Sequence, residues 1–256
     1  MKPSFVIDCF AEHGLRYRAG YAVIAVDVIR ATTVAITAVA ARWRCFPVAT
    51  LDQAVELAST MRNPLLMGEL SGDMPECFEM NNSPAELACR ADNHRPVVLL
   101  SSNGTKLIAE AAASDLIYLA CLRNFRAAAR YVAGKHERIA IIGAGSRGEF
   151  REEDAMCCAW IGELLASQGY APEDAATAEV IAKWSGAPAS GFIGSKSVDY
   201  LRRTNQLQDL DYVLEHVDDL NAAYAMDRGE LVECDRPKPI AVDSPVPFRE
   251  VPARAA

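Results

Sequence analysis

Residues 21–33 read YAVIAVDVIRATT, and this stretch decides the fold class. Tyr21–Val26 is a short, continuous apolar run rich in β-branched residues, which is typical of a strand buried on both faces. Ala31–Ala41 is alanine-rich with apolar residues on every side, which predicts a helix packed against a sheet. Asp27 and Arg30 therefore lie where a strand passes into a helix, the position at which open α/β sheets bind ligands.

The start of this helix offers free backbone N–H groups and the positive end of the helix dipole, which favour an anion such as phosphate. A simpler interpretation is that Asp27 only caps the helix and that Arg30 pairs with it. A ligand site is favoured because the same strand-to-turn arrangement recurs along the chain.

Strands and helices alternate through about residue 170. We therefore predict an α/β fold of three layers, with a mostly parallel or mixed sheet and helices on both faces. Residues 1–235 are predicted to form one α/β domain, with two fused lobes as the alternative. Five prolines and no periodicity mark residues 236–256 as a proline-rich C-terminal tail, lying on the surface or on a partner.

Composition and net charge limit the classes of binding partner that this protein can have. The 256 residues are 51% hydrophobic with a net charge of −8 and no basic block, which argues against nucleic acid or an anionic membrane as partners. No signal peptide and no run of 18 apolar residues is visible, so we expect a soluble, cytoplasmic protein without membrane contact. The eight scattered cysteines are expected to be reduced and mostly buried. A homodimer fits an apolar chain with a proline-rich tail.

Polar turns follow four of the predicted strands, at residues 27–33, 68–84, 101–105 and 143–154. In a parallel sheet these strand ends share one edge. Together the turns supply glycine-rich backbone N–H groups and charged side chains, namely Asp27, Glu69, Glu153, Asp154, Arg30 and Arg147. Carboxylates without clustered His or Cys favour a hard cation such as Mg²⁺. A cation beside N–H donors is what phosphoryl transfer requires, because the charge on the phosphate oxygens must be neutralised.

Each turn also has a purely structural interpretation. Residues 101–105 could form only a turn whose Ser102 or Thr105 caps the next helix. Glu69 could be an exposed loop acid. Glu153 and Asp154 occupy the first turn of a predicted long helix, where acids are favoured by the helix dipole in any case.

A dinucleotide site is the third interpretation. Gly143-x-Gly145-x-x-Gly148 follows a predicted strand and precedes a helix, as the dinucleotide fingerprint requires. That fingerprint should be followed, some 20 residues on, by a second strand ending in an acid. The chain after Gln168 instead predicts alanine-rich helix, so a nicotinamide oxidoreductase ranks behind a phosphate-handling protein.

Taken in order, five motifs resemble the 2-phosphosulfolactate phosphatase (ComB) family: D-V-I-R-A-T-T, G-E, N-S-P, S-N-G-T and G-A-G-S-R-G-E-F-R-E-E-D-A-M-C. The resemblance covers roughly residues 4–220. It implies an α/β fold and Mg²⁺-dependent hydrolysis of the phosphate ester of a small sulfonated or carboxylated acid, to sulfolactate and phosphate for 2-phosphosulfolactate itself.

By position, the resemblance implies three groups of site residues. The catalytic group is Asp27, Arg30 and Glu69. The metal-binding group is Asp27, Glu69, Glu153 and Asp154. The substrate-binding group is Arg30, Asn82, Ser83, Asn103, Gly104 and Thr105, to which the turn after residue 143 adds Arg147.

The chain departs from the family pattern at two positions. Leu70 stands where family members usually have an arginine directly after G-E, and Asn81 replaces the glycine of F-D-x-G-N-S-P. Asn tolerates a left-handed backbone better than most residues. The missing cation bears on sulfonate recognition, since a sulfonate needs a compensating positive group. The alternative function is therefore a non-catalytic anion- or metabolite-binding protein of the same fold.

Overall fold

The computed structural model describes residues 2–146 and 148–235. In this part of the chain ten strands form one sheet: β1 (Ser4–Cys9), β2 (Ala22–Val26), β3 (Cys45–Val48), β4 (Leu65–Gly68), β5 (Val97–Leu100), β6 (Leu116–Ala120), β7 (Arg138–Gly143), β8 (Ala171–Pro172), β9 (Tyr224–Asp227) and β10 (Glu230–Glu233). The α-helices are α1 (Ala31–Ala40), α2 (Leu51–Ser59), α3 (Pro84–Ala88), α4 (Gly104–Glu110), α5 (Phe125–Val132), α6 (Glu152–Ser167), α7 (Ala175–Trp184), α8 (Lys196–Arg203) and α9 (Leu207–Glu215). Short 3₁₀ segments cover Ala11–Tyr17, Ala111–Ala113 and Ala189–Phe192.

Strand β2 lies between β6 and β7, parallel to both, and all five of its residues are buried. Because successive side chains point to opposite faces of a sheet, β2 contributes to two cores. Ile24 and Val26 pack in the core that contains residues of α5, α6 and α9, while Val23 and Ala25 pack in the core that contains residues of α1 and α4. The predicted α/β fold with helices on both faces of a mixed sheet is confirmed.

The sheet order is β4-β5-β3-β10-β9-β6-β2-β7-β1-β8. Two groups of parallel strands, β4-β5-β3 and β6-β2-β7-β1-β8, are joined by the β9–β10 hairpin, which is antiparallel to β3 and to β6. The sequence reading did not predict this hairpin. Its two-residue turn places Arg228 and Gly229 at φ values of 53° and 84°, as the tight turns of hairpins require.

The hairpin changes how the strand ends relate to one another. Three successive antiparallel pairings separate β3 from β6, so the two parallel groups run in opposite senses along the ladder. The four polar turns therefore do not all follow strands of one parallel group, but residues from all four line a single cleft, as expected.

Five of the eight cysteines are buried and all are free thiols, as predicted. Among the described helices, none has the length and apolar character needed to cross a membrane. The predicted tail, residues 236–256, lies outside the described part of the chain.

Candidate active-site cleft

A cleft of about 810 Å³ lies where the turns after β2, β4, β5 and β7 meet helix α8. Its volume falls in the range of small-molecule sites. Its lining is mostly polar and charged: Asp27, Ile29, Arg30, Glu69, Ser71, Gly72, Asn82, Ser101, Ser102, Asn103, Gly145, Ser146, Glu149, Arg151, Asp154, Lys196, Ser197, Asp199, Tyr200, Arg202 and Arg203.

Gly104 lies where the turn after β5 approaches the turn after β2. A Cβ atom at this residue would lie 2.3 Å from Oδ2 of Asp27 and 2.5 Å from Cβ of Ala31. The start of α4, which follows β5, is therefore pressed against the turn that follows β2. Only glycine allows this approach, which brings the amides at the start of α4 beside the Asp27 carboxylate.

Asp27 is buried, and its carboxylate accepts few hydrogen bonds from the described residues. Its Oδ1 accepts a hydrogen bond from the backbone N–H of Ala31 at 3.2 Å, so the predicted capping role is present. Burial raises the pKa of Asp27 to about 7, because the Ala31 N–H compensates only in part and the carboxylates of Glu69 and Glu153 add repulsion.

Asp154, in the first turn of α6, holds the turn after β2 in place. Its Oδ1 accepts the backbone N–H of Val28 at 2.8 Å, and its Oδ2 accepts that of Gly145 at 3.4 Å. Burial, followed by the negative charges of Asp27 and Glu153, raises the pKa of Asp154 well above its usual value. A buried carboxylate whose ionisation is opposed by neighbouring carboxylates is a group that a cation would stabilise.

Glu153 lies behind the cleft rather than on its wall. Its side chain is buried, and Oε2 has no hydrogen-bond partner in the described part of the chain. Burial raises the pKa of Glu153, and hydrogen bonding from the hydroxyls of Ser197 and Ser195 opposes this. Glu153 thus links the start of α6 to the start of α8.

Arg30 does not pair with Asp27, so that part of the simpler interpretation is wrong. Its Nη1 instead donates to Oδ2 of Asp209 in α9, and both side chains are almost fully buried. Ser83 Oγ donates to Oδ1 of Asp209 at 2.5 Å and accepts the N–H of Glu86, so Ser83 caps α3. Asp209 therefore orients Arg30 toward the cleft, a role that no local sequence signal indicated.

Glu69 joins the turns that follow β4 and β5. Its Oε1 accepts the N–H of Ser102 at 2.7 Å, and its Oε2 accepts the Ser102 hydroxyl at 3.0 Å and the N–H of Gly72 at 2.7 Å. The interpretation of Glu69 as an exposed loop acid is therefore wrong. Thr105 closes the adjacent turn through Ser101, whose N–H it accepts at 2.9 Å.

The structure sorts the predicted site residues into two groups. Those that line the cleft are Asp27, Arg30, Glu69, Asn82, Asn103 and Asp154. Those that lie behind it and shape it are Ser83, Gly104, Thr105 and Glu153. Arg147 lies outside the described residues. Asn82 stands out in the first group, because its buried Oδ1 has no hydrogen-bond partner in the described part of the chain.

The basic wall of the cleft was not predicted. It comprises Arg151, Lys196, Arg202 and Arg203, of which the last three belong to α8. Nothing in the local sequence pattern of α8 shows which surface its basic residues face.

The structure contains a short strand after the glycine-rich turn, which the sequence analysis of the dinucleotide fingerprint did not predict. A two-residue strand, β8, does follow the glycine-rich turn, and Glu173 comes directly after it. Glu173 contacts Ser4 and Arg138, which begin β1 and β7, whereas Gly145 follows the end of β7. The acid therefore lies at the opposite end of these strands from the glycine turn, so the fingerprint lacks its ribose-binding partner.

Gly104→Ala is expected to disrupt the cleft because its Cβ would overlap the Asp27 carboxylate and Ala31. Overpacking of this kind costs about 1–3 kcal/mol, which we expect as a lowered midpoint in urea unfolding. Gly194→Ala is the matched control, since a Cβ there has no atom of the described residues within 4 Å and the backbone is not left-handed. Equal unfolding midpoints for the two variants would contradict the close approach.

The fold and the cleft define a class: an α/β protein that gathers carboxylates, a buried arginine and strand-end turns in one cleft. The 2-phosphosulpholactate phosphatase family matches residues 10–222, and the chain belongs to this family. The resemblance seen in the five motifs is confirmed.

Relatives that carry the name "Probable 2-phosphosulfolactate phosphatase" show the same similarity. The protein of Caldanaerobacter subterraneus subsp. tengcongensis is 30% identical over 57% of this chain and 61% of its own length. That of Symbiobacterium thermophilum is 34% identical over 58% of this chain and 65% of its own. That of Clostridium tetani is 32% identical over 56% of this chain and 63% of its own. The matched part of this chain thus spans less than two thirds of each of these relatives.

Proposed function

We propose that this protein is a Mg²⁺-dependent phosphatase that hydrolyses the phosphate ester of a small acid, with 2-phosphosulfolactate as the expected type of substrate. The family and its named relatives support this activity. The observation that carries the proposal is the cleft in which Asp27, Asp154 and Glu69 face Arg30 and the turn at Ser102 and Asn103.

The donor set fits Mg²⁺. Within the described residues no group of three or more His, Cys, Asp or Glu side chains is arranged as a complete metal site. Mg²⁺ does not need one, because it usually binds through one or two carboxylates and takes its other ligands from water and substrate phosphate. Asp27 and Asp154, which are buried and repel each other, would hold the ion, with Glu69 at the edge of the site.

In this mechanism the chain's own groups bind and orient the phosphate. Arg30 donates to phosphate oxygens while Asp209 and Ser83 keep its guanidinium in place. Backbone N–H groups at the start of α4 and the Asn82 side chain surround the same anion. When bound, Mg²⁺ supplies charge neutralisation and a water of lowered pKa. Hydrolysis adds one water across the P–O ester bond and yields phosphate and the free hydroxy acid.

The test is phosphate release from a panel of phosphorylated hydroxy acids, with and without Mg²⁺. We expect turnover that chelation by EDTA abolishes and that Mg²⁺ restores. We also expect Mg²⁺ to raise the melting temperature of the wild type, and not that of an Asp27→Asn/Asp154→Asn variant, because binding to the folded state alone stabilises it. Turnover that persists in EDTA would contradict the metal's role.

The second candidate is a binding protein without turnover, and Leu70 favours it. This residue is 45% exposed and brings no charge, at the position where the family usually has an arginine. Calorimetric binding of the phosphorylated acids with no phosphate release at any Mg²⁺ concentration would support this candidate over the phosphatase.

A further inference from the structure

The two walls of the cleft differ in charge. Asp27, Glu69 and Asp154 make one wall acidic, and its one arginine, Arg30, is already paired with Asp209. The basic wall has four cations, Arg151, Lys196, Arg202 and Arg203, and two carboxylates, Glu149 and Asp199, belong to the same lining. A ligand that carries a second anionic group beside its phosphate would therefore meet uncompensated positive charge on the second wall.

Arg151 is the most enclosed cation of this basic wall. Its side chain is 13% exposed, whereas that of Lys196 is 69% exposed. Its Nε is buried and has no hydrogen-bond partner in the described part of the chain. A buried donor of a charged group that is left unpaired costs free energy. A ligand oxygen that accepted a hydrogen bond from this nitrogen would remove that cost.

The counter-ion of Arg151 is weak and shared. Nη1 of Arg151 lies 3.2 Å from Oε2 of Glu149, while Oε1 of the same carboxylate pairs with Lys196. Glu149 is itself 45% exposed, so water screens it. One partly solvated carboxylate thus binds two cations. The buried Glu153 carboxylate also attracts the Arg151 charge, but the Nε of Arg151 is hydrogen-bonded to neither acid and stays available to an incoming anion.

We propose that Arg151 forms a second anion subsite, which binds the carboxylate or sulfonate of the substrate while the acidic wall and Arg30 handle its phosphate. The planar guanidinium suits this role, because it can donate two parallel hydrogen bonds to one acid group. The inference rests on the proposed function and explains how the cleft can recognise an acidic substrate although Leu70 supplies no charge.

The test compares two phosphate esters that differ only in the acid group, 2-phospholactate and isopropyl phosphate. For Arg151→Met we expect kcat/KM for 2-phospholactate to fall about 10- to 100-fold, the scale of a lost hydrogen bond to a charged group, mostly through KM. For isopropyl phosphate we expect a change of less than about 3-fold. Arg151→Lys should recover part of the loss, because it keeps the charge without the fork.

The matched control is Arg138→Met, which removes an arginine that pairs with Glu173 outside the cleft. This variant should leave kcat/KM unchanged for both esters. Thermal melting of each variant checks folding, and should Arg151→Met not fold, Arg151→Lys carries the same comparison. Equal losses on the two esters would overturn the subsite.

A separate binding measurement distinguishes failure of the subsite from failure of the phosphatase activity. Calorimetry with 3-sulfolactate, which has the acid groups but no phosphate, needs no turnover. The subsite predicts binding to the wild type and at least about 10-fold weaker binding to Arg151→Met. Absence of wild-type binding overturns the subsite, whereas binding without phosphate release from any ester contradicts only the phosphatase.

Discussion

Replacing Asp27 by Asn is expected to reduce phosphate release on the order of 1000-fold, while raising the stability of the protein in metal-free buffer. The loss follows because a ligand of the proposed cation disappears, and with it several kcal/mol of charge stabilisation. The gain in stability follows because Asp27 is buried beside other carboxylates and is costly to ionise. A residue that costs stability and is needed for activity is the expected signature of a functional site.

The stability gain has a defined pH dependence. The pKa of Asp27 is about 7 in the folded protein, above the ordinary 3.8, so the folded state holds this proton more tightly than the unfolded state does. Stability of the wild type should therefore fall as pH rises from about 4 to about 7, and stay reduced above that range. The advantage of Asp27→Asn should be absent near pH 4 and largest near pH 8.

Melting curves in EDTA at several pH values, together with phosphate-release assays in Mg²⁺, measure both effects. Asp52→Asn serves as the control, since Asp52 is an exposed acid in the first turn of α2. It should change neither activity nor the pH dependence of melting. An Asp27→Asn protein that releases phosphate at the wild-type rate would contradict the assignment of this site.

Much of the fold followed from local patterns. The buried β2 strand and the α1 helix agree with the prediction to within one residue at each end, because a continuous apolar run and an alanine-rich stretch report burial directly. The β9–β10 hairpin was missed because its strands have only four residues each and its turn is Arg228-Gly229 rather than the more familiar Asn-Gly. Gly229 between two short runs was the available signal.

The candidate site was less accessible to sequence reasoning. Asp27, Glu69 and Asp154 could be picked out because each follows a predicted strand or starts a helix. The sequence could not show which of these acids line the cleft. Glu153 and Asp154 are neighbours in sequence, yet their side chains lie in different surroundings. The partner of Arg30 lies 179 positions away in α9, and such pairings depend on tertiary packing.

The pairing of Arg30 with Asp209 leads to the second large effect. Asp209→Ala would leave the Arg30 guanidinium buried without its counter-ion, and breaking a buried pair in this way costs about 3–5 kcal/mol. At about 2–4 °C per kcal/mol for a protein of this size, the melting temperature should fall by roughly 10 °C. Activity should fall as well, because the guanidinium is no longer oriented toward the cleft.

The double variant Arg30→Met/Asp209→Leu separates stability from function. Replacing both members of a buried ion pair by apolar residues is often neutral or stabilising, so we expect the double variant to regain most of the stability lost in Asp209→Ala. It should remain inactive, because the phosphate loses its arginine. Urea unfolding of the wild type, Arg30→Met, Asp209→Leu and the double variant closes the cycle and gives the coupling energy directly.

An exposed ion pair provides the comparison. Arg44 and Glu230 are bonded through two hydrogen bonds, but the Arg44 side chain is 65% exposed, and Glu230→Ala should cost less than about 1 kcal/mol. A similarly small cost for Asp209→Ala would mean that water reaches Arg30. Full activity of the double variant would show that the phosphate is held by the amides of α4 and the bound cation alone, and that Arg30 belongs to the core rather than to the reaction.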